Sequence, residues 1–312
     1  MPDREIAIIG GGVAGATAGL FAARNGRDVV ILNGGLPGGQ LLNISAIEDF
    51  PGFPEGVAGF DLCPSVQDQA MSAGAAFEMA DVTSLSQSGG AWSMTTPAGE
   101  LSAGAVVVAS GSRPRTLGLD REEELTGRGI SHCASCDGPL YRGQVVGVVG
   151  GGDSALQEAI ELTGHVDQVV LFHRGPAFSG QSTYETRVLG NSKIVVRFST
   201  VVDEILGAAA VEGVRCRATS GGDAEDVKLG GLFVYVGSEP NSSFLPAELA
   251  LDHHGRIPTD ARMRTALGGL LAAGDIRSES AAQAVAAAGD GATAAVTAHR
   301  YLAGEPWPGS LG

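Results

Sequence analysis

Two cysteines separated by two residues, Cys133-Ala-Ser-Cys136, stand in the stretch HCASCDG (132–138) of a 312-residue chain that has four cysteines in all. That spacing suits a dithiol that cycles with a disulfide, half of a zinc site, or a pair of small packed residues. A zinc site needs four ligands, usually from two paired half-sites. Cys63 and Cys216 are isolated, and no histidine lies at ligand spacing from either, so no metal site is expected. Both read as small buried residues. The dithiol has a physical case. Sulfurs three residues apart meet across one helical turn, and a short helix starting at Ser131 or His132 would lower a thiol pKa at its N-terminus. Gly138-Pro139 would end that helix at once. Asp137 follows the second sulfur and can carry a proton to or from a departing thiolate, or stand as a solvated carboxylate. His132 can tune the thiol, pack or lie exposed.

A dithiol must be held, and electrons must reach it. An apolar run at 5–9 leads into GGGVAG, an Ala-rich stretch from Ala14 to about Asn25, a stop at Gly26 and a second apolar run at 28–32. This is a strand–glycine turn–helix–strand unit. Gly10, Gly12 and Gly15 let the backbone approach a pyrophosphate, which the helix N-terminus would bind through its amides. The pattern recurs: a strand at 145–149, then Gly150, Gly152, Ser154 and Ala155, a helix to about Thr163, Gly164 as a stop and a strand at 168–172. Two such units mean two nucleotide-binding folds, or one with its decayed copy.

The runs LSAGAVVVASGSRP and GGLFVYVGSEPN read as strands leaving the first fold and returning from the second, with hinges at 113–116 and 238–244. GGLLAAGDIR adds a strand ending at Gly274-Asp275, and a long Ala-rich helix follows. The expected class is α/β: two Rossmann-like three-layer nucleotide-binding domains, the second inserted in the first. The divided domain is 1–115 with 245–312, and the insert is 116–244.

Composition narrows the function. Twenty Lys and Arg against 35 Asp and Glu give a net charge of −15, with no basic run, which argues against a nucleic-acid surface. No apolar run reaches the roughly 18 residues of a membrane span. The amino terminus lacks a basic n-region and a long h-region, so no secretory signal is expected. With so few cysteines for its length, a cytoplasmic protein is expected.

The order of several motifs resembles the low-molecular-weight thioredoxin reductases, whose redox motif is typically Cys-Ala-Thr-Cys-Asp. GGLPGGQL (34–41), IEDFPGFPEGVAG (47–59), ASGSRPRTLGL (109–119), GRGISHCASCDG (127–138), VVGGGDSA (148–155) and AAGDIR (272–277) each resemble a family motif, in the family's order. The resemblance implies FAD in the first fold, with pyrophosphate at Gly10, Gly12 and Gly15. It implies Asn33 at the ribose and Gly38, Gly39, Gln40, Gly111, Asp275 and Gln283 around the flavin and ribitol. Asp49 replaces the usual Asn of one cofactor contact. The family's mechanism implies electrons passing from reduced flavin to the disulfide, with Cys136 facing the flavin, Cys133 attacking a partner such as thioredoxin, and Asp137 as acid–base group. It also implies a homodimer.

One segment departs from the family. NADPH-using members carry HRRxxFR after the second strand of the inserted fold, and this chain has HRGPAFS (173–179). Arg174 remains beside the Gly150, Gly152, Ser154 and Ala155 fingerprint, while Gly175 and Ser179 replace two arginines. Losing two charge-assisted contacts of ~1.5–3 kcal/mol each predicts weak NADPH binding. Ala282 before Gln283 removes one more cation. Alternative donors are ferredoxin or another flavoprotein. Alternative functions are a flavin-dependent oxidase of small dithiols and a non-catalytic flavin redox sensor.

Overall fold

The computed structural model describes residues 2–307. Strand β1 (Arg4–Ile9) runs through the glycine turn into helix α1 (Val13–Arg24), and Gly26 beyond it has φ +74°, a left-handed stop that a Cβ disfavours. Strand β2 (Val29–Asn33), helix α2 (Gly59–Ser72) and strands β3 (Ala76–Met79), β4 (Ser84–Ser88), β5 (Ala91–Thr96) and β6 (Gly99–Val108) follow. Strand β7 (Ser112–Pro114) carries the chain outward.

The inserted part begins with α3 (Glu122–Leu125), β8 (Ile130–Ser131) and α4 (Ala134–Asp137). It continues through β9 (Val145–Gly150), α5 (Asp153–Leu162), β10 (Gln168–Phe172), α6 (Ser182–Leu189) and β11 (Ile194–Arg197). Strands β12 (Thr200–Leu206), β13 (Gly213–Ala218) and β14 (Glu225–Lys228) precede β15 (Gly231–Tyr235). The chain returns along β16 (Ser238–Pro240), which pairs with β7, to β17 (Leu270–Ala272) and α7 (Ala284–Leu302).

Two compact units result, one built from the chain up to Arg113 and from Glu239 onward, the other from Pro114–Ser238. The sequence reading set the seams at 115/116 and 244/245. In the structure Asn241 donates its amide to Gly111, Leu85 donates to the carbonyl of Phe244, and the Phe244 ring packs on the buried cluster of the divided unit. Residues 241–244 therefore belong to that unit.

The divided unit holds a sheet ordered β3-β2-β1-β6-β5-β4, with β17 also on β6. β6 is long enough to serve two partners on the edge away from β1: its start pairs antiparallel with β5, and Val106–Val108 pair parallel with β17. Alternation along β1 sends Ile6 and Ile8 to one buried layer and Ala7 and Ile9 to the other. Burial on both faces explains the unbroken apolar runs of the sequence. On the first layer, small residues let α1 and α7 approach closely. A Cβ added at Gly291 would lie 2.1 Å from the carbonyl oxygen of Ala14.

The inserted unit repeats the plan with a parallel sheet β11-β10-β9-β15-β8. Val146, Val148, Leu171 and Phe233 pack with α5 and α6 residues such as Leu156, Leu162 and Tyr184. Val149, Phe172, Leu232 and Val234 pack with Ile205, Val214 and Cys216 of the antiparallel β12-β13-β14 layer. Each unit is thus a three-layer α/β fold around a mainly parallel core, as the two sequence repeats implied. Among the described residues no helix is long and apolar enough to cross a membrane.

Candidate active site

Cys133 and Cys136 form a disulfide, their Cα atoms 5.4 Å apart. The redox helix does not start at Ser131 or His132. Ser131 is held in β8 by pairing with Phe233 of β15, and His132 Nδ1 lies 2.8 Å from the carbonyl oxygen of Val234. Cys133 itself is the N-cap: its sulfur accepts the amide of Cys136 at 3.2 Å, with Ser135 Oγ at 3.4 Å. Ser131 Oγ accepts the Cys133 amide at 3.1 Å and steadies the entry. Nor does Gly138-Pro139 stop the chain's winding. Pro139 cannot extend the α ladder, but its fixed φ suits a first turn, and a 3₁₀ turn runs on over Gly138–Tyr141. Asp137 closes α4, half-buried, its amide bonded to the Cys133 carbonyl.

Beneath this turn lies a group that the sequence reading missed. Glu158 of α5 accepts the Ala134 amide at 2.7 Å and the Tyr235 hydroxyl at 2.8 Å, both on Oε2. Burial raises the Glu158 pKa, and those two hydrogen bonds pull the other way. Burial and the neighbouring Glu158 carboxyl raise the pKa of Tyr235 strongly. Cys63 and Cys216 are buried and unpaired, as expected, and burial pushes the Cys63 thiol up to about 11. Both are poor nucleophiles. Among the described residues no group of side chains could hold a metal ion.

The first glycine turn is built tightly. A Cβ on Gly15 would lie 1.9 Å from the carbonyl oxygen of Gly10, and one on Gly10 would lie 2.3 Å from that of Ala109. Gly12 caps α1, and the nearest atom to an added Cβ is 4.0 Å away, so the backbone is open there. Asn33 at the end of β2 accepts the Gly11 amide at 2.8 Å, and Gly38 donates to the Gly11 carbonyl. Gly38 and Gly39, both at positive φ, begin a 3₁₀ turn over Gly39–Asn43. Gln40 of that turn donates to the carbonyl oxygen of Ser112 at 2.8 Å and to its Oγ at 3.0 Å, next to Gly111. Gly10, Gly12, Gly15, Asn33, Gly38 and Gly39 thus lie at one tight backbone turn, while Gln40 holds Ser112, the residue after Gly111.

Asp275 sits on a short turn, Gly274–Ile276, and Gln283 caps α7. Asp290 of α7 fixes that turn, accepting the Gly274 amide at 3.1 Å and pairing with Arg277 at 2.5 Å. Burial raises the Asp275 pKa, opposed by the Ser280 hydroxyl and the Arg256 charge. The segment beside the turn, bonded through Ile257 to Ile276, carries two buried polar atoms without a partner, Arg256 Nε and Thr259 Oγ1. An open glycine turn, the half-buried carboxylate of Asp275 and orphaned polar atoms fit a large polar cofactor such as FAD. Asp49 is exposed on the loop after Ile47.

In the second fingerprint a Cβ on Gly150 would meet the Tyr235 carbonyl oxygen at 2.4 Å and the Ala155 methyl at 2.6 Å. Gly152 caps α5, its added Cβ 3.9 Å from Ser179 Oγ, and Ser154 is exposed on the first turn. The loop after β10 folds back on this turn: Ser179 donates its amide to the Gly151 carbonyl at 2.9 Å, and Asp153 accepts the Gln181 amide at 2.6 Å. Arg174 is exposed and is the one cation in the stretch 173–179. His173 covers Gly151, lies 2.8 Å from the Ala177 carbonyl through Nε2, and would meet a Gly175 Cβ at 2.8 Å.

A family model for pyridine nucleotide-disulphide oxidoreductases matches residues 4–291. NADPH-dependent thioredoxin reductase 3 of Arabidopsis thaliana is 38% identical over 307 residues; the match covers 96% of this chain but 58% of that protein. A thioredoxin reductase of Helicobacter pylori is 38% identical over 306 residues, covering 96% of this chain and 98% of the relative. The crystal structure of Lactococcus lactis thioredoxin reductase superposes with a TM-score of 0.94 at 33% identity, covering 96% of this chain and 99% of that one.

Proposed function

This chain belongs to the pyridine nucleotide-disulphide oxidoreductase family, and from that premise we propose that it is an FAD-dependent reductase of protein disulfides with thioredoxin or a thioredoxin-like protein as partner. The observation that carries the reading is the Cys133–Cys136 disulfide on a capped turn, in a chain whose divided unit has an open glycine cradle. Gly10, Gly12 and Gly15 would hold the FAD pyrophosphate and Asn33 the ribose. Gly38, Gly39, Gln40, Asp49, Gly111, Asp275 and Gln283 would surround the rest. When bound, FAD supplies the electron pair for the disulfide.

The chain's own residues do the remaining chemistry. Cleaving the Cys133–Cys136 bond consumes two electrons and two protons and leaves two thiols. Asp137 would carry one proton at the Cys136 sulfur, the sulfur that the family resemblance assigns to the exchange with flavin. Cys133, as a thiolate, keeps the Cys136 amide and the Ser135 hydroxyl as donors. It attacks one sulfur of the partner disulfide and expels the other as a thiolate. Cys136 then attacks the Cys133 sulfur of the mixed disulfide and expels the partner's sulfur as a thiolate, which frees the partner as a dithiol and restores the internal bond.

The electron donor is a separate question. Arg174 alone remains for a 2′-phosphate, so NADPH is a poor donor in this reading, and ferredoxin or another flavoprotein is the second reading for that step. Gly175 and Ser179 are the observation that favours it. The family likeness supports a homodimer, and a dithiol that must be kept reduced suits the cytoplasm.

Trapping tests partner and roles together. In Cys136→Ser the attacking thiol has no resolving partner, so the variant should form a 1:1 mixed disulfide with oxidised thioredoxin, released by dithiothreitol. Cys133→Ser should trap none. Trapping by Cys133→Ser alone would exchange the two roles, and trapping by neither would remove thioredoxin as the partner.

A further inference from the structure

We propose that Glu158 is the positioning residue of the dithiol: its carboxyl anchors the first peptide of the redox turn, and its charge restrains Cys133 from becoming a thiolate. The proposal rests on the dithiol reading and names what sets that couple's reactivity.

The geometry is local and tight. Ala134, fully buried, directly follows Cys133, and its amide points to Glu158 Oε2 at 2.7 Å. The second donor to the same oxygen is the Tyr235 hydroxyl at 2.8 Å. Tyr235 ends β15, and its carbonyl lies hard against Gly150 of the second glycine turn. The phenol is therefore fixed by the sheet, the carboxyl by α5, and the redox turn hangs from both. The other titratable groups about this point are Glu161 on α5, paired with His165 at 3.6 Å, Asp137 and Tyr141 on the redox segment, and His132 on the Val234 carbonyl.

Two influences therefore meet at Cys133 once the disulfide is reduced. The Cys136 amide and Ser135 hydroxyl stabilise a thiolate. An ionised Glu158 one peptide away opposes it, because a second negative charge nearby is disfavoured. A dithiol whose reduced form is strongly stabilised becomes an oxidant. By opposing that stabilisation, Glu158 keeps the pair reducing, as a disulfide reductase requires. Burial, which raises its pKa, makes the effect grow with pH as the carboxyl ionises.

The test uses Glu158→Gln, which keeps size and an acceptor oxygen but removes the charge, with Tyr235→Phe as second variant. Protein reduced with dithiothreitol and freed of it is alkylated with iodoacetamide across pH, and Cys133 is followed by peptide mass. In parallel, the Cys133/Cys136 couple is equilibrated with glutathione buffers. Glu158→Gln should lower the pH of half-maximal alkylation by about one unit, react several-fold faster at neutral pH, and reach half-oxidation in a more oxidising buffer. Tyr235→Phe, which removes a donor that favours the charged carboxyl, should shift both readouts the same way by less. Curves of both variants that coincide with the parent, or that shift the other way, overturn the proposal; should Glu158→Gln fail to fold, Tyr235→Phe decides. Such a flat result leaves the reductase reading standing. A parent whose two cysteines form no reversible couple overturns that reading instead.

Discussion

At Gly15 a methyl group would fall 1.9 Å from the Gly10 carbonyl oxygen, closer than any side-chain adjustment can relieve, because both atoms belong to one backbone turn. Gly15→Ala should cost roughly 1–3 kcal/mol of stability, read as a lower melting temperature, and the purified variant should carry less flavin. At the other glycine turn the deficit is charge. Ser179 is bonded to Gly151 and exposed, with room toward Gly152, whereas a side chain at Gly175 must first displace His173. Ser179→Arg is therefore the simpler repair. One restored charge-assisted contact, at ~1.5 kcal/mol or more, should lower the NADPH concentration for half-maximal flavin bleaching about tenfold. The parent, mixed anaerobically with NADPH, should bleach slowly. Fast bleaching at micromolar NADPH would show that Arg174 suffices. Much at this scale could be read in the sequence, since the cysteine pair, the glycines and the missing arginines are local patterns. Glu158 and Tyr235 could not: Glu158 meets the redox turn from 24 positions away and Tyr235 meets Glu158 from 77, and nothing in either residue's neighbours marks the encounter.

Among the elements, α7 sets the Gly274–Ile276 turn. Asp290, nearly buried, holds both the Gly274 amide and the Arg277 guanidinium. Asp290→Asn leaves a half-buried arginine without its counter-charge, at a cost of about 3 kcal/mol, and flavin should dissociate faster on dilution, measured by fluorescence release. Helix α5 makes a pH-dependent contribution. Burial lifts the folded-state pKa of Glu158 above its ordinary 4.5, so the folded chain keeps this proton to higher pH than the unfolded chain. The associated stability is complete below the unfolded pKa and is lost as pH rises through the folded one. The melting temperature of Glu158→Gln, relative to the parent, should accordingly climb as pH rises from about 4.5 toward neutrality. A difference that stays constant with pH would show that the carboxyl does not change charge in that window. Strand–turn–helix repeats made β1, α1, β2, β9, α5 and β10 legible, because strands buried on both faces are continuous apolar runs. The redox helix start was not, since pairing of β8 with β15 holds Ile130 and Ser131 extended and the Val234 carbonyl holds the His132 ring, and only the tertiary fold reveals those contacts.

Across the whole molecule, the same nucleotide-binding plan is used twice, and the copies have kept different properties. The first holds an open glycine turn, a half-buried Asp275 and unpartnered polar atoms near it; the second has a sound turn but a single arginine in the stretch that follows. The insert also carries the disulfide. Both folds could be seen in the sequence, whereas the seam near 238 could not be placed from composition, because Phe244 belongs by packing and hydrogen bonding to the divided unit. The central claim is that an electron pair held on flavin leaves the protein through Cys133 and Cys136. The direct measurement is stopped-flow absorbance at the flavin band, with anaerobically reduced protein mixed with oxidised thioredoxin. The flavin should reoxidise in step with the appearance of two thioredoxin thiols per flavin, and in Cys136→Ser it should stay reduced. A parent flavin that stays reduced, or a Cys136→Ser flavin that reoxidises as fast as the parent's, would contradict the account.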